Sequence, residues 1–489
     1  MLSSRFHRVR IAQIEQQMHV LENQMSLLRA EKETIEDDLA TIVYPILTLP
    51  HEITSKIFVH YVDDRWRHSP LELRAVCNSW RQVALSTCWL YTRITSRHVD
   101  HLAAWLPLSG DLPLTLDFNS YYPSSSSEFR MLCQLLSDYS ARWQSLTLTT
   151  IHGGVMPVHL PGTFSSLETV YFNSFCWASS EAVTIPMLHA PRLGALQLDC
   201  GRLMSQWHTV LPWPQLTKLD VNKGLEQWWQ ILPHTPNLEA LRITDGFRNG
   251  IPENQFQFMP MIVLPHLRTL EFQFIDCCDM FEHLTSPALQ NLIIPVTSDW
   301  KWDLMEPFVA RSRCTIRNVE LRISQEEDED VVVRFFEEFR LSSVRQLTII
   351  APTKDTLLLV VNTLCDDDHL IPMLETLRIV DFQFQAPLIP IADMLSARSQ
   401  RVLTEDESKT MANLKSFELT FSSEVLSSRD DSELHDDLGV QLDQALETLC
   451  HLQSKGLRVD IQTTFDRMGS AIDLDMIKRI RADGDSFKT

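Results

Sequence analysis

Apolar residues recur at alternating spacings of three and four along the first forty residues of the chain. They form one seam, interrupted only at Lys32, whose positions are Ile11, Ile14, Met18, Leu21, Met25, Leu28, Lys32, Ile35, Leu39 and Ile42. Polar side chains fill most positions between them and no Gly or Pro intervenes, so the pattern predicts one helix with a narrow apolar stripe. We expect residues 1–44 to be a coiled-coil leader that self-associates through residues 11–42. The alternative is that the helix folds back on the rest of the chain.

A second hydrophobic pattern returns throughout the chain beyond residue 140. Each copy reads apolar, two others, apolar, one other, apolar, and the copies begin at Trp143, Leu167, Leu193, Leu216, Leu238, Leu267, Leu289, Ile316, Val344, Leu374 and Leu414. Most copies begin about 22 to 30 residues apart, and alternation within each copy predicts a strand whose alternate residues point into a core. Leu114 and Leu457 are expected to begin the first and last strands. Segments such as "DVVVRFFEEFR" and "TLLLVVNTLC" predict helices between strands.

This repeated phrase resembles the L-x-x-L-x-L core of leucine-rich repeats. The resemblance implies that residues 96–489 form a curved, irregular α/β solenoid with a parallel sheet on its concave side. The Asn that this family usually carries after the strand is absent from most copies, so a regular Asn ladder is not expected. An ordinary α/β domain with a parallel sheet is the alternative.

Polar residues between the inward apolar positions of the strands are expected on the concave face. They are Gln197, Asp220, Arg242, Glu271, Glu320, Arg322, Arg378 and Glu418. Concave sheets of repeat arrays offer broad protein-binding surfaces, and these residues are our candidates for binding a target. A mixed-charge sheet face can also be no more than a solvated surface.

Residues 45–95 predict three short helices. Pro50 suits the first turn of the first helix and Glu52 suits the positive end of its dipole, while Ile53, Ile57 and Tyr61 mark one face. The run Ser69-Pro70-Leu71-Glu72 predicts a capping box that starts the second helix, whose apolar face is Leu73, Val76, Cys77, Trp80 and Ala84. A third short helix is expected to carry Trp89, Leu90, Tyr91 and Ile94. So small a unit seldom closes its own core, and the surplus apolar surface predicts a partner.

The stretches "LTLPHEITSKIF" and "LRAVCNSW" resemble an F-box. The motif residues are Leu49, Pro50, Glu52, Ile53, Ile57, Phe58, Val76, Cys77 and Trp80. The resemblance covers about a tenth of the chain and departs from the family pattern at Cys88-Trp89-Leu90-Tyr91. It implies that this unit docks on the Skp adaptor of a cullin ubiquitin ligase, with adaptor contacts at Leu49, Pro50, Ile53, Ile57, Val76 and Cys77. The alternative is that this unit is a small helical cap on the repeats that follow and binds no partner.

Composition narrows the classes of function that remain. The 489 residues carry 43 basic and 64 acidic groups, a net charge of −21, which argues against binding of the nucleic-acid backbone. The ten cysteines show no zinc-ligand spacing, and no apolar run is long enough for a membrane helix. Acidic runs at 326–330 and 366–368 could chelate a cation, but we expect them to be solvated loops. The sequence carries no catalytic or phosphate-binding motif.

These patterns together predict a non-catalytic α/β protein of the cytoplasm or nucleus, or both, without cofactor or metal. The expected function is that of a substrate receptor, which binds the Skp adaptor, and through it a cullin, with the F-box and a protein target with the repeats. The alternative is a protein-binding repeat scaffold that is not coupled to ubiquitin transfer. An enzyme is the least favoured class.

Overall fold

The computed structural model describes most of the chain in segments. The described residues are 2–41, 48–63, 69–118, 134–150, 163–174, 190–200, 211–222, 230–244, 260–273, 279–297, 301–323, 329–338, 342–351, 354–366, 370–381, 388–399, 413–422, 444–445, 447–464 and 470–472. The chain divides into two compact units: Met1–Arg93 with Ala103–Leu112, and Ile94–Leu102 with Pro113–Thr489.

Helices dominate the first unit. They are α1 (Leu2–Thr41), α2 (His51–Asp63), α3 (Pro70–Val76), α4 (Asn78–Ser86), a 3-10 helix at Cys88–Tyr91, and α5, whose bounds are Leu102–Leu108. The predicted leader is therefore helical over forty residues. Every residue described from position 7 to position 38 is exposed, so the described part of the seam is not covered by this chain and the fold-back alternative is wrong there. The described part of the structure does not include the side chain of Leu39, nor any part of Ile42 and Pro45.

The start of the second helix follows the predicted capping box. Ser69 Oγ accepts a hydrogen bond from Leu71 N at 3.2 Å, Ser69 N donates to Glu72 Oε1 at 3.3 Å, and Pro70 is the first helical residue. Each bond satisfies a backbone or side-chain group that the helix end would otherwise leave unpaired.

The prediction of one continuous second helix is wrong, because the helix is interrupted at Cys77. Cys77 is extended (φ −156°, ψ 173°), and its Sγ accepts from Trp80 N at 3.5 Å as the cap of α4. Two short helices, α3 and α4, therefore replace one. Ile94 is also misplaced by the prediction, since it lies in a strand and not in the third helix.

The core of the first unit is small and rich in aromatic side chains. Its buried members are Phe58, Leu73, Val83, Ala84, Leu90, Tyr91 and Trp105. Phe58 packs on Trp80 with ring centroids 4.9 Å apart, and Tyr91 meets Trp105 edge-on at 5.5 Å. Trp105 lies beyond the predicted unit of residues 45–95, so the last part of this core comes from a later segment of the chain.

Strands dominate the second unit. They are β1 (Arg93–Thr95), β2 (Leu114–Phe118), β3 (Trp143–Thr150), β4 (Thr169–Ser174), β5 (Ala195–Cys200), β6 (Lys218–Asn222), β7 (Ala240–Ile243), β8 (Ile262–Val263), β9 (Thr269–Phe272), β10 (Leu284–Thr285), β11 (Asn291–Val296), β12 (Asn318–Ile323), β13 (Gln346–Ala351), β14 (Thr376–Asp381), β15 (Ser416–Ser422), β16 (Arg458–Thr464) and β17 (Ser470–Ile472). All eleven copies of the repeated phrase form strands, as predicted.

Among the described residues, fifteen of these strands form one open sheet in chain order, while β8 and β10 pair separately. Neighbours from β2 to β16 pair in parallel, and β17 pairs antiparallel with β16. The strands expected to be first and last, at Leu114 and Leu457, are β2 and β16, so that prediction is wrong. One further strand of three residues, without the repeated phrase, lies beyond each of them: β1 before β2 and β17 after β16. The long parallel sheet itself confirms the predicted fold class at this level.

The apolar positions of each phrase form the core of the second unit. In the copy at Leu238, for example, Leu238, Leu241 and Ile243 are buried, and the same three positions are buried in the other copies. Helices follow several strands, at α6 (Met280–His283), α7 (Met305–Ser312), α8 (Glu329–Glu338), α9 (Lys354–Asp366) and α10 (Leu388–Ser399). Helices α8 and α9 confirm the two helical segments predicted between strands. Shorter 3-10 turns lie at Ser96–His101, Ser140–Arg142, Trp213–Gln215, Leu232–His234 and Trp302–Leu304.

A buried arginine fixes the end of α9. Arg398 on α10 is 3% exposed, and its guanidinium donates to the carbonyl of Leu364 from Nε at 2.9 Å and from Nη2 at 2.7 Å. The carbonyls of the last helical turn have no partner within the helix. Arg398 supplies one from the next helix and so ties two successive strand–helix segments together.

Candidate functional site

Four of the six predicted adaptor contacts are exposed apolar side chains of the helical unit. Leu49 is 38% exposed, Ile53 44%, Ile57 41% and Val76 61%. We call these four residues the apolar face. Residues four apart on a helix share a side, so Ile53 and Ile57 form one stripe of α2. The buried side of the same helix carries Thr54 and Phe58 instead.

Polar contacts bring the stripe on α2 and Val76 on α3 to the same side of the unit. Tyr61, one turn beyond Ile57, donates from its hydroxyl to Glu72 Oε2 at 3.3 Å. Glu72 lies one turn before Val76 on α3, so the two residues share a face of that helix. Two further hydrogen bonds hold the other end of α2 against the end of α4: His51 Nε2 with Ser86 Oγ at 2.8 Å, and Ser55 Oγ with Thr87 Oγ1 at 2.9 Å.

The other two predicted adaptor contacts have backbone or capping partners. Pro50 is exposed and immediately precedes α2, where its carbonyl accepts from Ile53 N at 3.0 Å and from Thr54 N at 3.1 Å. Cys77 is half-buried and caps α4 through its Sγ. Pro50 therefore starts the helix that carries the stripe, and Cys77 directs the turn that follows Val76.

One row of side chains runs across the sheet of the second unit. Strand pairing aligns the same position of successive strands, and the aligned residues are Asp117, Thr147, Tyr171, Gln197, Asp220, Arg242, Glu271, Ile293, Glu320, Thr348, Arg378, Glu418 and Asp460. We call this set the sheet row. Every predicted target-binding residue except Arg322 belongs to it. Arg322 lies two residues farther along β12, and therefore on the same face of the sheet.

Ion pairs connect the middle of the sheet row. Arg242 lies 3.7 Å from Asp220 and 3.0 Å from Glu271, while Arg322 binds Glu271 and Glu320 at 2.8 Å each. Burial disfavours the charged form of Arg322, but its hydrogen bond to Glu320 and the charge of Glu271 outweigh burial and raise its pKa. The chain of five charged groups holds these side chains in one arrangement on the sheet.

A looser ion pair lies farther along the sheet row, and a shallow depression overlaps the network. Arg378 and Glu418 are 3.9 Å apart, and their side chains are 42% and 34% exposed, respectively. The depression has a volume of about 450 Å³ and includes Tyr171, Gln197 and Asp220 of the sheet row. Lys218 and Arg242 contribute cationic groups to its lining. A broad, shallow surface of this kind suits contact with another macromolecule better than enclosure of a small ligand.

Acidic groups exceed basic ones on this face. The sheet row carries two arginines, Arg242 and Arg378, against six acids, and Lys218, Arg322 and Arg458 lie two residues away from it on the same face. The six acids of the row therefore share this face with five basic groups, an excess of one negative charge.

Metal and membrane chemistry receive no support from the parts of the chain that the structure describes. No group of three or more His, Cys, Asp or Glu side chains in those parts is arranged to hold a metal ion. None of the helices described there is both long and apolar enough to cross a membrane. The acidic runs at 326–330 and 366–368 lie largely outside the described residues.

Comparison with models of protein families and with curated proteins finds no match to this chain.

The sequence prediction missed several members of the sheet row. The candidates omit Asp117, Thr147, Tyr171, Thr348 and Asp460, although each of these stands between two apolar residues, as Arg242 does. Taking that position in every copy of the phrase, and in the strands expected at Leu114 and Leu457, would have found them. On the helical unit, the sequence pattern groups Trp89 with Leu90 and Tyr91 on one short helix. In the structure Leu90 and Tyr91 are buried, whereas Trp89 is 64% exposed.

Proposed function

We propose that this protein is a non-catalytic substrate receptor of a cullin ubiquitin ligase. Its helical unit acts as an F-box that docks on the Skp adaptor, and its strand array holds a protein target. Enzymes recruited elsewhere in the complex transfer ubiquitin, so this chain contributes proximity and orientation instead of chemistry.

The apolar face carries this proposal. Leu49, Ile53, Ile57 and Val76 remain exposed although the same unit buries Phe58 and Leu73 in a core of its own. An exposed apolar cluster on a folded unit costs solubility unless a partner covers it. These four residues are also the positions at which the F-box resemblance places adaptor contacts, so sequence resemblance and exposure support the same surface.

The strand array supports the second half of the proposal. Its strands follow chain order in one open sheet, which is what stacked leucine-rich repeats would produce and what a doubly wound domain, with its reversed strand order, would not. The sheet row, which is polar at every position except Ile293, is the surface that we assign to the target.

A repeat scaffold that binds proteins without ubiquitin transfer is the second candidate. The same apolar face and the same sheet row support it, and it differs only in whether a cullin joins the complex. An adaptor-bound protein that recruits no cullin would favour this candidate.

Co-purification from cells tests the proposal. The intact chain is expected to bring down both the Skp adaptor and a cullin, whereas the Leu49→Ala/Pro50→Ala variant is expected to lose both. Ser79→Asp/Gln82→Asp is the matched control, because both residues are exposed on α4 and lie outside the apolar face. Equal recovery of the adaptor with the Leu49/Pro50 variant would show that docking does not use this face.

A further inference from the structure

The long helix α1 has an exposed apolar stripe that no described part of this chain covers. Seven of its ten seam positions are apolar residues between 43% and 64% exposed, namely Ile11, Ile14, Met18, Leu21, Met25, Leu28 and Ile35. A stripe of this length in a heptad pattern is the recognition surface of a coiled coil. The partner can be identified from the charges beside the stripe.

Charge is distributed unevenly along α1. Arg8 and Arg10 lie near its beginning with no acidic residue before Glu15, whereas residues 31–38 contain five acids, Glu31, Glu33, Glu36, Asp37 and Asp38, and one cation, Lys32. One end of the stripe is thus bordered by positive charge and the other by negative charge. A second copy of the same helix, running in the opposite direction, brings each basic end beside an acidic end.

We propose that two copies of this chain pair through α1 as an antiparallel coiled coil centred near residue 23. In an antiparallel pair the first core position of each heptad on one helix faces the second core position on the other. This register places Ile11 opposite Ile35, Met18 opposite Leu28, and Leu21 opposite Met25. These three pairs of apolar residues each occur twice by symmetry, and the remaining core position within residues 11–35 pairs Ile14 with Lys32.

The same register aligns the flanking charges. Arg8 of one copy lies beside Glu36 of the other, Arg10 beside Asp38, and Glu15 beside Arg29, and each of these attractive pairs occurs twice by symmetry. The one like-charged contact is Glu22 with its own copy. Interhelical pairs at these flanking positions are what set partner choice and orientation in coiled coils.

A parallel pair of the same helices fits much less well. Lys32 would meet its own copy inside the seam, and Glu31 would lie beside Glu36 of the other chain. Only Arg10 with Glu15 would attract. In the antiparallel register Lys32 faces Ile14 instead, and its ammonium group, which lies 3.4 Å from Glu36 Oε1 of its own helix, can remain at the edge of the seam.

The antiparallel pairing has a structural consequence. At 1.5 Å per residue, a forty-residue helix is about 60 Å long. The chains leave the coiled coil at its opposite ends, so the dimer would carry two separated copies of everything that follows α1. The pairing does not depend on adaptor docking or on any target.

Sedimentation velocity of the intact protein at low ionic strength tests this inference. The wild-type chain is expected to show a concentration-dependent monomer–dimer equilibrium. Arg8→Glu/Arg10→Glu and Glu36→Arg/Asp38→Arg should each raise the dimer dissociation constant by about tenfold or more, because four attractive pairs become repulsive in either variant. Combining all four substitutions should restore wild-type dimerisation, because opposite charges again face each other.

The Glu36→Arg/Asp38→Arg variant separates the two orientations. In a parallel dimer it would relieve the contact between Glu31 and Glu36 and tighten association, and that result would overturn the proposal. A wild-type chain that stays monomeric, or equal dissociation constants for the wild type and the three variants, would also overturn it. Negative charge toward the start of a helix and positive charge toward its end do not oppose the helix dipole. Loss of the dimer in the two-residue variants would therefore not result from melting of α1, and circular dichroism verifies this.

Discussion

Arg322 on β12 reaches across β11 and donates a hydrogen bond to Glu271 on β9 at 2.8 Å. Glu271 also lies 3.0 Å from Arg242 on β7, and its own side chain is only 14% exposed. One carboxylate thus joins two arginines from strands on either side of it. Parallel register makes this arrangement possible, because it brings the three positions to neighbouring points of the same sheet face.

Replacing Glu271 with Gln should destabilise the strand array by about 1–2 kcal/mol. The substitution keeps the shape of the side chain but removes the charge that Arg242 and Arg322 share, so that each arginine keeps only one acidic partner, Asp220 at 3.7 Å and Glu320 at 2.8 Å respectively. The midpoint of urea unfolding measures the effect. Glu418→Gln is the matched control, since its partner Arg378 is 3.9 Å away and its own side chain is 34% exposed, against 14% for Glu271; it should cost less than about 0.5 kcal/mol. Equal losses in the two variants would contradict the role given to Glu271.

Arg398→Met should be one of the more damaging single changes in the second unit. It removes charge-assisted hydrogen bonds to the carbonyl of Leu364 and leaves that buried acceptor unpaired, at a cost of about 3 kcal/mol. Arg334→Met on the exposed side of α8 is the control and should be near neutral. Thermal unfolding of both variants provides the comparison, and a stable Arg398→Met protein would show that water replaces the guanidinium.

Two tryptophans of the first unit should behave in opposite ways when truncated. Trp105 is 1% exposed and packs on Tyr91, so Trp105→Ala should destabilise the helical unit by about 3–5 kcal/mol. Trp89→Ala removes a side chain of the same type that is 64% exposed, and it should change the stability by less than about 0.5 kcal/mol. Urea unfolding checks both. A mild effect of Trp105→Ala would mean that the unit closes without residues 103–112.

His98 should make stability depend on pH in the acidic range. Burial, followed by the charges of Arg97 and His101, lowers its pKa from 6.5 to about 4, and its Nδ1 accepts from Thr95 N at 3.2 Å. Above pH 6.5 neither the folded nor the unfolded chain binds the proton. As the pH falls toward 4, the unfolded chain binds it first, so stability decreases over this window by about 1–2 kcal/mol.

The matching experiment compares unfolding free energies between pH 7 and pH 4. His98→Gln should flatten this part of the profile relative to wild type, because the group that titrates only in the unfolded chain is gone. His266→Gln changes an exposed histidine and should leave the profile as it is. A wild-type profile that His98→Gln does not alter would rule out this explanation.

The strands could be predicted because their signal is local. Leu238, Leu241 and Ile243 alternate with polar residues inside one short segment, and burial of alternate residues is all that a half-buried strand requires. The long helix α1 and the capping box at Ser69 are local in the same sense. The apolar stripe of Ile53 and Ile57 could also be predicted as a helix face from its spacing.

The remaining features depend on contacts that spacing does not encode. The break at Cys77 arises because its Sγ caps α4, although the apolar pattern continues through it. Trp105 joins the first core only because the chain returns there after β1. Arg398 looks like an ordinary charged residue near the end of an amphipathic helix, and its burial depends on where the carbonyl of Leu364 lies. The bridge from Arg322 to Glu271 likewise depends on strand register over fifty residues of chain.

Affinity for the purified Skp adaptor, measured by isothermal titration calorimetry, tests the central proposal most directly. The intact chain should bind, and Ile53→Asp/Ile57→Asp should weaken binding by a factor of about 100 or more, because it places two charges in the apolar face without touching the core. Ser79→Asp/Gln82→Asp, which adds the same two charges on the exposed side of α4, should bind as the wild type does. Failure of the wild-type chain to bind, or unchanged affinity of the Ile53/Ile57 variant, would contradict the assignment of the apolar face as the docking surface.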